Sequence, residues 1–454
     1  MKIKKEEKNE TPSIAEIKIL GLYGIYNHEI SINPKGVTII HGPNGIGKTA
    51  ILKCIKNFVS RDFDALSKIP FKNMEIGFTN GTTTSISKIG VSEKDLKNRE
   101  ISLHGEFEVS TYNRGKKSVN KVVGYSDEIK KFAYSIANSR DYYIEIGDGV
   151  WHDMRNNKLT TIRDILDIYI PRHQTLISSS KNKKTASTPN EPYEKLDVKL
   201  IDTNRLNRIG KSNDDEKLLF NTIEDCAADL TLQIKQATAA YGKKSQELDQ
   251  SFPHRLIAEE HEKLSKANVS DRLSILEEKQ KNLSALGLLA AFEGPLLPTN
   301  IASLSGPKLE AISLFIQDSE VKLEELATIA RKCGIFLDIL SRKFKNKSIK
   351  INREKGIYVI GADRTPLPLT ALSSGEQHEV ILNYELLFRT SPNALVLIDE
   401  PEISLHVSWQ RNFISDLLQI SEAVGFDSII ATHSPFIVNE HLDLLVDLNE
   451  EEPR

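Results

Sequence analysis

Cysteine is scarce in this sequence: Cys54, Cys226 and Cys333 are the only three in 454 residues. They are odd in number, far apart and form no CxxC pair. A disulfide framework and a clustered-thiolate zinc site are therefore excluded, and a reducing compartment suits them. Long apolar runs are missing too. No stretch approaches the ~20 apolar residues that cross a bilayer as a helix. The opening MKIKKEEKNETPS is charged and lacks the apolar region of a secretory signal. An excess of either charge is also absent. Lys plus Arg is 60 and Asp plus Glu is 63, a net charge of -3. That balance gives no global attraction to nucleic acid or to an anionic membrane. The expectation is a cytoplasmic protein with no membrane partner.

What is present is ordinary for a globular chain, 39% hydrophobic and 27% charged. At ~100–200 residues per domain, two or three structural units are expected. Residues 14–32 read as a β-hairpin with Gly and Asn at its turns. The run Val37–Ile40 then meets a Gly-rich turn, and Ile51, Leu52 and Ile55 follow at helical spacing. Short alternating segments over 74–125 predict an antiparallel sheet. The polar stretch SSSKNKKTASTPNEPYE, 178–194, reads as a loop or linker. The preceding WHDMRNNKLTTIRDILDIYIPRH has no clear assignment, whereas VKLIDTNRL reads as a strand running into a turn. From about 214 to 285 the pattern is helical and charged, and a second helical block covers about 307–344. A 35-residue helix would span ~50 Å. The two blocks fit a short antiparallel arm or a helical subdomain packed on the rest. From 347 strands return, then helix, strand, helix and strand, as a mostly parallel sheet with flanking helices requires. There is no internal repeat.

Four motifs carry the chemistry. Gly42-Pro43-Asn44-Gly45-Ile46-Gly47-Lys48-Thr49 fits G-x-x-x-x-G-K-[ST]. Its glycines let successive N–H groups face phosphate oxygens, and the helix that follows, through Ala50, presents its positive end to the same anion. Lys48 supplies charge to the phosphates and Thr49 a hydroxyl to Mg²⁺. The second motif, Ala394-Leu395-Val396-Leu397-Ile398-Asp399-Glu400, is a buried strand ending in two carboxylates. Mg²⁺ accounts for Asp399 and an attacking water for Glu400. The third, Leu372-Ser373-Ser374-Gly375-Glu376, opens a helix read as Gln377–Phe388. Ser373, Gly375 and that helix end make a second anion site. One chain's own nucleotide already lies on 42–49, so this loop is best used on a neighbour's. The fourth, Ile429-Ile430-Ala431-Thr432-His433-Ser434-Pro435, ends a strand in a His that can reach a γ-phosphate.

In their order and spacing, GPNGIGKT, LSSGE, LVLIDEPEISLH and ATHSP resemble the ABC-type ATPase heads of the RecF, SMC and OLD group, over roughly 14–60 and 347–445. The resemblance implies an α/β fold: an ABC ATPase head with a mostly parallel sheet, flanking helices and an antiparallel β subdomain, interrupted by a helical or short coiled-coil insertion. The implied partition is 1–200 and 346–454 for the two parts of the head and 201–345 for the insertion. ATP and Mg²⁺ are the implied cofactors. Lys48 and Thr49 bind phosphate and Mg²⁺, Asp399 binds Mg²⁺, Glu400 is the hydrolytic base and His433 senses the γ-phosphate. Ser373 acts across a head-to-tail dimer or higher oligomer. The family also has a Gln at the Mg²⁺ and the attacking water, and no Gln precedes Gln174 here. Asn204 of LIDTNRL would replace it, or is an ordinary turn residue.

SSGEQHEVILNYELLF and VLIDEPEISLHVSWQRNF are most similar to the stand-alone ATPases of the bacterial anti-phage systems PARIS and Septu. These act with a separate nuclease, of TOPRIM type in one and HNH type in the other. The implied role is a defence sensor and switch controlling such an effector through ATP-dependent assembly, with a phage protein as a candidate trigger. After His433 only 21 residues remain, and they hold no nuclease constellation. The alternative is a RecF-like DNA repair ATPase that binds DNA on a basic surface. Its candidates are Arg114, Lys116, Lys117 and Lys121; Lys181, Lys183 and Lys184; and Arg342, Lys343, Lys345, Lys347 and Lys350. The long insertion and the ATHSP end argue against a transporter subunit.

Overall fold

The structure is a computed structural model. It describes residues 12–89, 106–113, 116–123, 134–140, 142–147, 150–155, 158–161, 165, 196–201, 207–211, 217–258, 262–290, 294 and 306–448. Asn204, Arg114, the run 178–194 with its three lysines, and the C-terminal NEEEPR lie outside these residues or at their border. The chain forms two compact units, Met1–Phe220 with Thr390–Arg454, and Asn221–Arg389.

The first unit opens with the expected hairpin, β1 (Ile14–Leu22) and β2 (Tyr26–Ser31), with Ile17 opposite Ile30. β3 (Val37–His41) leads into α1 (Lys48–Val59) and the short α2 (Phe63–Ser67). β4 (Asn73–Phe78), β5 (Thr83–Lys88), β6 (Glu106–Asn113) and β7 (Lys116–Val123) extend the hairpin into one antiparallel sheet, ordered β2-β1-β4-β5-β6-β7. The period of two is plain in β4, where Met74, Ile76 and Phe78 are buried and the residues between them less so.

β8 (Tyr143–Gly147) precedes the segment without a sequence assignment, 151–173. β9 (Val150–Asp153) and β10 (Lys158–Thr161), at the described start of that segment, join β8 as a meander with Trp151 buried. β11 (Val198–Ile201) follows, then β12 (Asn207–Lys211) paired with β13 (Lys217–Asn221). β13 corrects the expectation of helix from 214. Its Leu218, Leu219 and Phe220 pair into a sheet, and helix begins only at Thr222.

β17 (Leu395–Asp399), β18 (Asp427–Thr432) and β19 (Leu445–Asp447) complete a five-stranded sheet ordered β11-β17-β18-β3-β19, every neighbour parallel. Strands covered on both faces read as unbroken apolar runs, and β17 is buried at all five positions. α7 (Val407–Gln410) and α8 (Phe413–Val424) connect β17 to β18. One continuous helix was expected here. The break at Arg411–Asn412 follows from Gln410, whose side chain is turned inward to bind the carbonyl of Leu405 and the hydroxyl of Ser434. α8 buries Phe413, Ile414, Leu417, Ile420 and Val424 and ends at Gly425 with φ 85°. After β18 comes the short α9 (Pro435–Val438). In register, Asp399 lies beside Ala431, and Thr432 beside His41. The loops leaving three adjacent strands therefore converge at one sheet edge, where open parallel sheets bind ligands.

The second unit holds α3 (Thr222–Ile257), α4 (Lys266–Ala285), α5 (Pro307–Lys343), the small sheet β14 (Lys347–Asn352), β15 (Gly356–Gly361) and β16 (Pro366–Leu367), and α6 (Ser374–Phe388). α3 and α5 are antiparallel: Arg255 pairs with Asp318, while Asp249, earlier in α3, pairs with Lys322. α4 runs parallel to α5 instead, since the Leu264 N–H meets Ser313 and Arg272 meets Glu320. The insertion is thus a three-helix assembly rather than a two-stranded arm. α5 buries Leu326, Ile329, Cys333, Phe336, Leu340 and Lys343, one stripe at helical spacing. Lys343 is an ion in this stripe because it meets buried Glu379 of α6. Residues 346–389, read from the sequence as part of the head, belong to this compact unit.

Candidate functional site

The phosphate loop leaves β3 at His41 and enters α1 at Lys48. Gly45 and Gly47 have φ of 87° and 100°, where a side chain strains the backbone. A Cβ on Gly47 would lie 2.5 Å from Cδ2 of Leu22. Pro43, Asn44 and Gly45 are exposed, so their backbone can face a ligand. Ile46 is buried and anchors the loop in the core, together with Ala50. The first turn of α1 holds no acidic residue, which leaves the positive helix end unneutralised.

Lys48 is 5% exposed, yet its ammonium is fully used. Nζ donates to the carbonyls of Gly42 at 2.7 Å and Pro43 at 3.0 Å and lies 3.0 Å from His433 Nδ1. Burial pushes its pKa below the ordinary lysine value, against the pull of Glu400, Glu402 and Asp399. The carbonyls therefore hold an ammonium that phosphate oxygens would satisfy better.

Thr49 Oγ1 donates to Asp399 Oδ1 at 3.1 Å, joining α1 to the end of β17. A hydroxyl and a carboxylate oxygen in contact are a hard-oxygen pair suited to Mg²⁺, which keeps waters and takes further oxygens from substrate phosphates. Among the described residues no group of three or more His, Cys, Asp or Glu side chains could hold a metal. An ion here would be held by Thr49 and Asp399 and would supply positive charge to the phosphates of a bound nucleotide.

Glu400 follows with φ 42° and ψ 59°, left-handed for a non-glycine residue, at a cost on the order of 1 kcal/mol. Its N–H is held by the carbonyl of Ala431 at 2.9 Å. The carboxylate is thus displayed at the strand end, 3.6 Å from His433 Nε2. Lys48, Thr49, Asp399, Glu400 and His433 form one connected cluster.

Three residues that sequence reasoning missed complete it. His28 of β2 is 4% exposed, and its Nε2 meets the carbonyl of Ile46 at 3.0 Å, bracing the phosphate loop. Alternation with Ile30 could have placed His28 inward. Glu402 accepts the His433 N–H at 2.7 Å, and Gln410 accepts the Ser434 hydroxyl at 2.7 Å. The signal for Glu402 was a third carboxylate two residues past Glu400.

Ser373 and Gly375 lie in the other unit. Helix α6 starts at Ser374, earlier than expected, so Gly375 and Glu376 are in its first turn. Ser373 is the exposed N-cap of a capping box: its Oγ accepts the Glu376 N–H, and Glu376 Oε2 accepts the Ser373 N–H. Glu376 Oε2 also takes Lys347 Nζ at 2.7 Å. Against burial, which raises it, bonds from Lys347 and from the Ser373 amide and side chain hold the Glu376 carboxyl below the ordinary glutamate value.

Of the basic candidates, Lys343 pairs with Glu379, Lys347 with Glu376, and Arg342 with Asp338. Lys345 and Lys350 are exposed, and Lys117 lies 5.3 Å from the Tyr112 ring centroid. No helix among the described residues is long and apolar enough to cross a membrane.

The family profile described as the AAA ATPase domain matches residues 13–438. UvrABC system protein A of Deinococcus radiodurans is 25% identical over 142 residues, 31% of this chain but only 12% of that protein's length. The Smc head domain of Pyrococcus furiosus, solved bound to the C-terminal domain of ScpA, aligns with 96% of this chain and 93% of its own, at 16% identity and a TM-score of 0.34. The SMC head domain of Thermotoga maritima aligns over 96% and 94%, at 12% identity and a TM-score of 0.32. The chain, an ATP-hydrolysing enzyme of mixed α/β fold, belongs to the AAA ATPase domain family.

Proposed function

We propose that this ATPase is a nucleotide-timed switch whose site is completed by a second copy. The backbone N–H groups of Gly42 and of Asn44 to Ala50, with Lys48, receive the phosphates, and Thr49 and Asp399 hold Mg²⁺. Glu400 takes the proton of the attacking water, and His433 meets the γ-phosphate. Ser373 and Gly375 of a head-to-tail neighbour close over that phosphate. The observation that carries this is the state of the donors. Lys48 is tied back to its own loop, whereas Ser373 stands exposed at the start of a helix.

ATP binding favours the engaged pair and hydrolysis releases it, so nucleotide state sets a partner's affinity. On the resemblance of the 373–388 and 396–413 segments, that partner is a separate TOPRIM- or HNH-type nuclease of an anti-phage system, triggered by a phage protein. Direct DNA binding has less to stand on, because Lys343 and Lys347 are consumed by ion pairs. The test is the mass in solution of Glu400→Gln with saturating ATP and Mg²⁺. A dimer or larger assembly is expected, and a monomer refutes the shared site. Retention of a co-expressed nuclease by that form, and its loss with ADP, tests the second step.

A further inference from the structure

The segment Pro401–Gln410, which follows Glu400, is stitched to the turn after β18 by side chains near both of its ends. Glu402 Oε1 accepts the backbone N–H of His433 at 2.7 Å. Gln410, 7% exposed, accepts the Ser434 hydroxyl at 2.7 Å and donates to the carbonyl of Leu405 at 3.1 Å. The other Glu402 oxygen, Oε2, is buried and has no hydrogen-bond partner. The half-buried carboxylate thus spends its one hydrogen bond on the main chain of His433. A carboxylate is the strongest acceptor a side chain offers an amide.

His433 needs this support. Its ring reaches Lys48 Nζ through Nδ1 at 3.0 Å and faces Glu400 through Nε2 at 3.6 Å. No hydrogen bond of the parallel sheet reaches its N–H, because β18 ends at Thr432. Ser434 is held separately, by Thr432 and Gln410, so Glu402 supplies the side-chain bond to the His433 amide itself.

We infer that Glu402 is a positioning residue for His433: by holding the His433 amide it sets the imidazole at the γ-phosphate end of the site. The inference rests on the proposed role of His433. The hydrogen bond of Glu402 goes to the histidine, while its charge also favours the Lys48 ammonium from a distance.

The test is steady-state ATP hydrolysis with nucleotide affinity measured separately, in the full chain. Glu402→Ala should lower kcat on the order of 10- to 100-fold, as misplacement of a reacting group does, and leave ATP affinity within about 3-fold, a shift of about 0.7 kcal/mol at most. Glu402→Gln keeps an acceptor at the same reach and should lose less than about 3-fold. In a His433→Ala background, adding Glu402→Ala should cost less than about 2-fold, since the group it positions is gone. Multiplicative losses in that background overturn the inference, as does equal loss in the Ala and Gln variants. If Glu402→Ala does not fold, Glu402→Asp carries the test: one methylene shorter, it should be as slow as Ala was expected to be, and wild-type rates for Asp overturn the inference. A His433→Ala enzyme at the wild-type rate removes the role of His433 and this inference together. A slow His433→Ala beside a fast Glu402→Ala removes this inference alone.

Discussion

Lys48 and His433, 385 positions apart, meet at 3.0 Å between Nζ and Nδ1. The other ring nitrogen, Nε2, faces Glu400 Oε1 at 3.6 Å, so one imidazole spans the gap between the buried lysine and the carboxylate. Lys48, His433 and Glu400 therefore stand in one line of contacts. In the proposed site, phosphate oxygens would take Lys48 over from His433 and the two carbonyls.

That arrangement separates binding from chemistry in two variants. Lys48→Ala removes a buried cation and should weaken ATP on the order of 100-fold, the scale of a lost charge-assisted contact. Glu400→Gln keeps the shape and should bind ATP within about 3-fold of wild type while kcat falls by roughly 10²- to 10⁴-fold, the scale of a lost general base. Nucleotide titration and phosphate release read the two. If Glu400→Gln loses affinity as severely as Lys48→Ala, the division of roles is wrong.

Gly47 is held by geometry twice over. Its φ is 100°, and an added Cβ would sit 2.5 Å from Leu22 Cδ2. Gly47→Ala should cost about 1–3 kcal/mol of stability and tilt the start of α1. Thermal unfolding and ATP titration together check this, and an Ala variant with unchanged melting temperature contradicts it. Gly45 is the control. It shares the positive φ, at 87°, but has nothing within 4 Å of its Cβ position. Gly45→Ala should therefore lose less.

What could be read in advance followed from how local each feature is. The strand, loop and helix over 37–59 are contiguous, so period, glycine and the Lys-Thr pair carry them without tertiary information. The apolar runs at 395–399 and 427–432 announce strands covered on both faces, and their parallel pairing brings their ends beside His41. His28 against Ile46, and Glu402 against His433, are pairings between distant segments that no period announces. The direction of α4 was hidden for the same reason. Helical spacing reports a face but not which neighbour runs beside it. Leu218-Leu219-Phe220 misled differently, since a three-residue apolar run suits a strand as well as a helix, and pairing with β12 decides it.

Lys343 and Glu379 test the second unit. Their side chains are 4% and 1% exposed, and Asn383 Nδ2 also donates to Glu379 Oε1. Removing one partner strands the other charge, so Lys343→Met should cost about 3–5 kcal/mol. Adding Glu379→Met should recover most of that, because two apolar groups replace two desolvated ions. Chemical denaturation of the single and double variants decides it. A double variant no more stable than the single would mean that the pair is not coupled as its burial implies.

Lys88 gives the pH dependence. Its ammonium sits 4.8 Å from the Phe71 ring centroid and donates to the carbonyls of Ser67 at 2.7 Å and Ile69 at 2.5 Å. Burial outweighs these contacts and lowers its pKa from 10.5 to about 8. The unfolded chain therefore keeps this proton up to about pH 10.5, while the folded chain has released it above about pH 8. Between those values the unfolded state binds more protons, so the contribution of Lys88 to stability rises with pH across that window. Below it both states are charged, and the contribution is flat at its least favourable value. The full rise is on the order of 3 kcal/mol. Lys88→Met removes the titration while other groups cancel in the comparison. The stability of wild type minus that of Lys88→Met should climb from about pH 8 to about pH 10.5. A flat difference there means that water reaches the ammonium and burial does not hold its pKa down.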